Sequence, residues 1–138
     1  MTGTSPRVDF YQMSGRFHDP VDVACVLVGK AWPDIDDIAV VGDPATLQTL
    51  DTRLWEKPAG RFLPHGIGDD RAPIRLVPGA PAGAALLINL DAAAELPAGD
   101  YRRVCEIVPP DERARKRLRA RWLEWKSRGA ELHHHVLK

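Results

Sequence analysis

The stretch Asp37-Ile-Ala-Val-Val-Gly-Asp-Pro-Ala-Thr-Leu-Gln-Thr-Leu-Asp-Thr-Arg-Leu-Trp55 decides the fold. Its opening residues, DIAVVG, form a continuous β-branched run of the kind that lies buried on both faces of a parallel sheet. Asp43-Pro44 then supplies a helix cap and the proline favoured at the first helical position, and Leu47, Leu50, Leu54 and Trp55 recur at helical spacing. A strand therefore passes directly into a helix. The same grammar precedes it. Residues 7–13 (RVDFYQM) set Val8, Phe10 and Tyr11 among polar neighbours, short enough for a strand that Ser14-Gly15 ends. Asp19-Pro20 repeats the cap, and Val21, Ala24, Cys25, Val28 and Trp32 follow at three- and four-residue steps until Pro33. The unit is βαβα.

Downstream, residues 58–73 hold three prolines and three glycines, too many for either regular element, and predict a long ordered loop. Residues 74–77 and 84–90 read as strands, the second (AALLINL) almost wholly apolar and hence central. Residues 102–108 (RRVCEIV) alternate as a fifth strand; Pro109-Pro110 stops it, and Asp111 caps a last helix reaching about Gly129. Alternating strands and helices predict a single α/β domain: an open, mostly parallel sheet with right-handed crossovers and helices on both faces. The length of 138 residues fits one core.

Charge is balanced overall, with 19 Lys/Arg against 19 Asp/Glu, so the whole molecule has no field for nucleic acid or an acidic membrane. The balance hides polarity. Residues 111–138 carry nine Lys/Arg against four acids, a net +5, which leaves −5 for residues 1–110. No apolar run approaches the roughly 18 to 20 residues of a membrane span, and residues 1–6 lack a signal-peptide core, so a cytoplasmic protein is expected. Cys25 and Cys105 each sit in an apolar segment without a CxxC partner and read as buried reduced thiols.

Nucleotide chemistry has no motif here. After the first strand MSGRFHDP offers one glycine where the dinucleotide fingerprint needs three, and Gly29-Lys30 lies inside a predicted helix, where it cannot cradle phosphate. The three serines, Ser5, Ser14 and Ser127, include no nucleophile elbow. No catalytic residue, cofactor or metal site is expected. Asp34, Asp36 and Asp37 read as a solvated turn, and His133, His134 and His135, adjacent rather than convergent, as an exposed tail. His18 and His65 stand alone, and a structural or interface role for His65 outranks general base.

Two segments ask for partners. Residues 54–65 pack Trp55, Phe62, Pro58 and Pro64 into a helix end and its loop. The aromatics either anchor the loop to the core or present a rigid apolar platform to another protein. On the last helix, Ala114, Leu118, Trp122, Trp125 and Gly129 supply an inward stripe, while Arg115, Arg119, Trp122 and Lys126 set cations beside an indole. That row is either a solvated basic face or a site for an acidic peptide or single-stranded nucleic acid.

In this order the features resemble the chi subunit family of bacterial DNA polymerase III, the clamp-loader accessory proteins. The resemblance covers nearly the whole chain: Phe10-Tyr11 in a strand, Ala31-Trp32 ending a helix, LWxxPxxxFxPH at 54–65, INL at 88–90, ExVP at 106–109, and a basic helix before a terminal Lys138. It implies a noncatalytic Rossmann-like domain that pairs with the psi subunit of the clamp loader and binds the C-terminal tail of single-stranded-DNA-binding protein, touching DNA only indirectly. By that resemblance Leu54, Trp55, Pro58, Phe62, Pro64 and His65 face psi. Val108, Arg115, Arg119 and Trp122 form the tail pocket, with Trp122 where the family often has tyrosine. Leu123 falls where a second basic residue is expected, so the resemblance implies either a weaker hold on the tail or a charge supplied by Lys126 or Arg121 instead. The tail is acidic and ends in an aromatic residue bearing the free carboxylate, so guanidinium, apolar wall and neighbouring cations each have a complement in it.

Overall fold

The structure, a computed structural model, describes residues 6–14, 19–56, 63–78, 83–90 and 100–137. The strands are β1 (Arg7–Gln12), β2 (Ile38–Val41), β3 (His65–Ile67), β4 (Ile74–Val77), β5 (Gly83–Asn89), β6 (Asp100–Val108) and β7 (Glu131–Val136). The helices are α1 (Pro20–Ala31), α2 (Pro44–Glu56) and α3 (Glu112–Ser127). All seven strands join one sheet in the order β3-β4-β2-β5-β6-β1-β7, and every pairing is parallel. The chain is thus a Rossmann-like α/β domain.

Each helix begins where its aspartate says. The Val21 N–H donates to Asp19 Oδ1 at 3.0 Å, that of Thr46 to Asp43 Oδ1 at 2.9 Å, and that of Arg113 to Asp111 Oδ1 at 3.1 Å. The crossover directions then distribute the helices. The chain leaves β1 toward β2 and β3 through α1 and α2, but leaves β6 toward β7 in the opposite direction through α3. Right-handed crossovers running opposite ways must lie on opposite faces of the sheet. Accordingly Val21, Val28, Leu47 and Leu54 pack with Val40, Leu76 and Ile88 on one face, while Leu118 and Trp125 pack with Phe10, Val41, Leu87 and Val104 on the other. The reversal of direction falls between β6 and β1. In open α/β sheets the crevice outside the carboxyl ends of the strands at such a point is where ligands bind.

Two expectations need correction. The proline- and glycine-rich segment is not all loop, because residues 65–67 form β3: Pro64 C=O accepts the Ile74 N–H at 3.2 Å, and Gly68, at φ 67°, turns the chain beyond it. The three adjacent histidines are not a tail but the middle of β7, hydrogen-bonded beside β1. What brings them there is the end of α3. Gly129 adopts φ 82°, its N–H donates to Lys126 C=O at 3.0 Å, and the Ala130 N–H reaches Trp125 C=O at 3.2 Å. That paired closure, open to glycine in the left-handed region, reverses the chain onto the sheet edge.

Candidate partner-binding site

The site begins with how α3 is held. Glu106 on β6 is fully buried, and its carboxylate accepts from Arg121 Nη1 at 3.0 Å and from Trp125 Nε1 at 3.0 Å. Burial pushes the Glu106 carboxyl above the usual range, opposed by Arg121, Trp125 and the Asn89 side chain. Arg121 and Trp125, one helical turn apart, are thereby committed to the sheet together with Leu118. This corrects the assignment of Arg121 as a reserve cation: it is an inward residue, 5% exposed, whose charge is spent on Glu106.

With that face inward, Arg115, Arg119 and Trp122 fall along the side of α3 that overlooks β1 and β7. They line a cavity of about 190 Å³ with Leu118, Phe10 and Gln12 of β1, Val108 of β6 and His134 of β7. Gln12 and Val108 end their strands, so this is the crevice at the reversal point. Its walls divide by chemistry. Phe10 and Trp122 meet with ring centroids 5.0 Å apart at 56°, and Val108 and Leu118 complete an apolar floor. Arg115 and Arg119 contribute guanidiniums, and the Nε of Arg115 is buried with no hydrogen-bond acceptor among the described residues. A buried donor of this kind is costly unless a ligand supplies its acceptor. Small-molecule sites occupy roughly 300–1,000 Å³, so the space suits the end of a peptide better than a cofactor.

All four residues expected from the resemblance to form a pocket, Val108, Arg115, Arg119 and Trp122, are brought together. Lys126 is exposed on α3 and does not line the cavity, and Leu123 is 66% exposed. Sequence reasoning missed Phe10, Gln12, Leu118 and His134 as lining residues. Phe10 and Leu118 read as core positions, and only the parallel pairing of β7 with β1 reveals Gln12 and His134 as neighbours, their side chains 2.8 Å apart.

The second candidate segment lies at the other end of the sheet. Trp55 closes α2 at 60% exposure and stacks obliquely on His65, centroids 4.7 Å apart. The His65 ring is fully buried, with Nδ1 2.6 Å from Leu63 O and Nε2 3.2 Å from Asp51 O. Leu54 is 1% exposed and belongs to the core. So the motif divides into an outward indole, an inward leucine and an inward histidine that fixes the indole's orientation. Pro64 is half-buried before β3, whereas Pro58 and Phe62 lie outside the described residues.

Beyond α3, the α1 side of β1 carries a polar cluster. Buried Asp9 receives hydrogen bonds from Arg7 Nε at 3.1 Å, Arg103 Nε at 2.9 Å and His135 Nε2 at 2.8 Å. Burial alone would raise its carboxyl, yet the bonds from Arg7, His135 and Arg103 outweigh that and bring it from 3.8 to about 2. The cluster ties edge strand β7 to β1 and β6. Cys25 and Cys105 are buried free thiols, and burial pushes Cys105 up to about 12, which makes it inert. A larger space of about 870 Å³ opens at the amino ends of the strands, opposite the ligand-binding end of such sheets. Three of its charged residues are engaged: Arg7 with Asp9, Asp37 with Arg75 at 2.6 Å, and Glu131 with His133 at 2.6 Å. Among the described residues no three His, Cys, Asp or Glu side chains converge as a metal site, and no helix is long and apolar enough to cross a membrane.

Comparison with known proteins gives the family. Residues 6–133 match the family model of the DNA polymerase III chi subunit, HolC. The DNA polymerase III subunit chi of Pseudomonas aeruginosa is 33% identical over 139 residues, covering 95% of this chain and 96% of that protein. A sheet built without a nucleotide motif, a crevice walled by arginine and tryptophan, and a match across almost the full length lead to one assignment: the chain belongs to the chi subunit family of DNA polymerase III, a replication accessory subunit.

Proposed function

We propose that this chain is a noncatalytic bridge that holds the clamp loader, through psi, to the C-terminal tail of single-stranded-DNA-binding protein. The observation that carries the reading is the α3 cavity, in which an apolar floor of Phe10, Val108, Leu118 and Trp122 meets Arg115 and Arg119, with one buried guanidinium N–H lacking an acceptor. A chain end that is aromatic and carries a free carboxylate satisfies both halves at once: the ring is buried against Trp122 and the carboxylate takes the guanidinium hydrogen bonds. Exposed Lys116, Lys126 and Arg128 hold the acidic residues that precede it. The psi contact is assigned to the opposite sheet edge, where Trp55 is an exposed aromatic on a buried support.

A direct single-strand binder is the competing reading, favoured by the basic face of α3. It fits less well, because Trp122 is half-buried against Phe10, whereas a stacking platform presents its ring to solvent. Fluorescence anisotropy with a labelled acidic peptide ending in phenylalanine and, separately, a naked oligonucleotide distinguishes them. Saturable peptide binding that persists at physiological salt, with oligonucleotide binding that salt abolishes, supports the bridge; the reverse order supports the nucleic-acid reading.

A further inference from the structure

His134 lines the same cavity as Arg115, Arg119 and Trp122, from the strand on its far side. Its Nε2 lies 2.8 Å from Gln12 Oε1. An amide oxygen only accepts, so that bond keeps the proton of the neutral ring on Nε2 and leaves the lone pair on Nδ1. Nδ1 has no partner among the described residues, and every other residue lining the cavity is apolar, neutral or cationic: Phe10, Gln12, Val108, Leu118 and Trp122 beside Arg115 and Arg119. Glu131, the acid of the same strand, faces the opposite side of the sheet and is bonded to His133 at 2.6 Å.

We infer that His134 is a third cationic contact of this cavity, which takes a proton from solvent on Nδ1 when an acidic peptide binds and then holds a side-chain carboxylate of that peptide. The inference rests on the proposed reading of the cavity as a peptide site. Its logic is a balance of charges. In the free protein Arg115 and Arg119 line the cavity together with His134, and among the described residues no carboxylate does. A bound acidic chain reverses that balance, so binding and protonation reinforce each other. No α3 residue can take this part, because His134 approaches from the sheet edge rather than from the helix.

The test is isothermal titration of the parent protein, His134→Gln and Arg119→Ala with an acidic peptide ending in phenylalanine, at about pH 8 and pH 5.5 and fixed ionic strength. Free carboxylates of the peptide stay ionised across this window, with ordinary values of roughly 3.3 to 4.3. The parent should bind roughly two- to fivefold more tightly at the lower pH, with proton uptake visible as a heat that changes with the buffer's ionisation enthalpy. His134→Gln keeps an amide beside Gln12 and should match the parent at pH 8 while losing the gain at pH 5.5. A parent affinity indifferent to pH, or a gain that survives in His134→Gln, overturns the inference. The underlying reading fails separately: if the peptide does not bind at pH 8, or Arg119→Ala binds it as the parent does, the cavity is not a peptide site and both fall.

Discussion

Asp9 shows how one residue sets the acid limit of the fold. Its folded value of about 2 lies below its ordinary 3.8, so the stability it contributes is fully present above about pH 4 and is lost as pH falls through the folded value. The shift corresponds to something on the order of 2 kcal/mol. Urea denaturation between pH 7 and pH 2.5 should therefore show Asp9→Asn less stable than the parent at neutral pH, with the two curves converging in acid. Parallel curves would mean that Arg7, Arg103 and His135 give the carboxylate no net advantage. Glu106 poses the complementary case. Arg121→Met leaves a fully buried carboxylate without its cation and should cost about 3 kcal/mol, whereas adding Glu106→Gln should recover part of that loss. A cost below about 1 kcal/mol would show that the pair does not anchor α3.

Among the elements, the ones legible in the sequence were those whose chemistry is local. The aspartate caps located all three helices, and the apolar runs located β2 and β5, because a cap and a doubly buried strand each require particular residues at particular places. β3 and β7 were illegible for the opposite reason. HGI and ELHHHV contain almost nothing that favours a strand; they are strands because Gly68 and Gly129 turn the chain beside an edge already built. The candidate site divides in the same way. Arg115, Arg119 and Trp122 follow from helical spacing, but the β7 side of the cavity could not be seen without the pairing. At the other edge, α2 delivers Trp55 outward and β3 delivers His65 inward. Trp55→Ala should thus leave the melting temperature nearly unchanged and weaken psi binding by about 2 kcal/mol or more, while His65→Ala should lower stability itself. If Trp55→Ala binds psi like the parent, the indole is not part of that contact.

For the whole molecule, a bridge requires two surfaces that work independently. Trp55 lies by the β3 edge, the cavity lies between β6, β1 and β7 under α3, and three strands, β4, β2 and β5, separate them. α3 also occupies the face opposite to α1 and α2, so no helix is shared between the sites. Sites so far apart on a rigid parallel sheet should not compete. The net charge of zero conceals the same division, since the C-terminal segment is basic and the remainder acidic. The most direct measurement is calorimetric titration of the tail peptide into four samples: the parent and Arg119→Ala, each alone and saturated with psi. Arg119→Ala should weaken the peptide by about ten- to a hundredfold, the loss of a charged hydrogen-bonding partner, and psi should change neither affinity. Peptide binding that ignores Arg119, or that psi abolishes, would contradict the bridge reading.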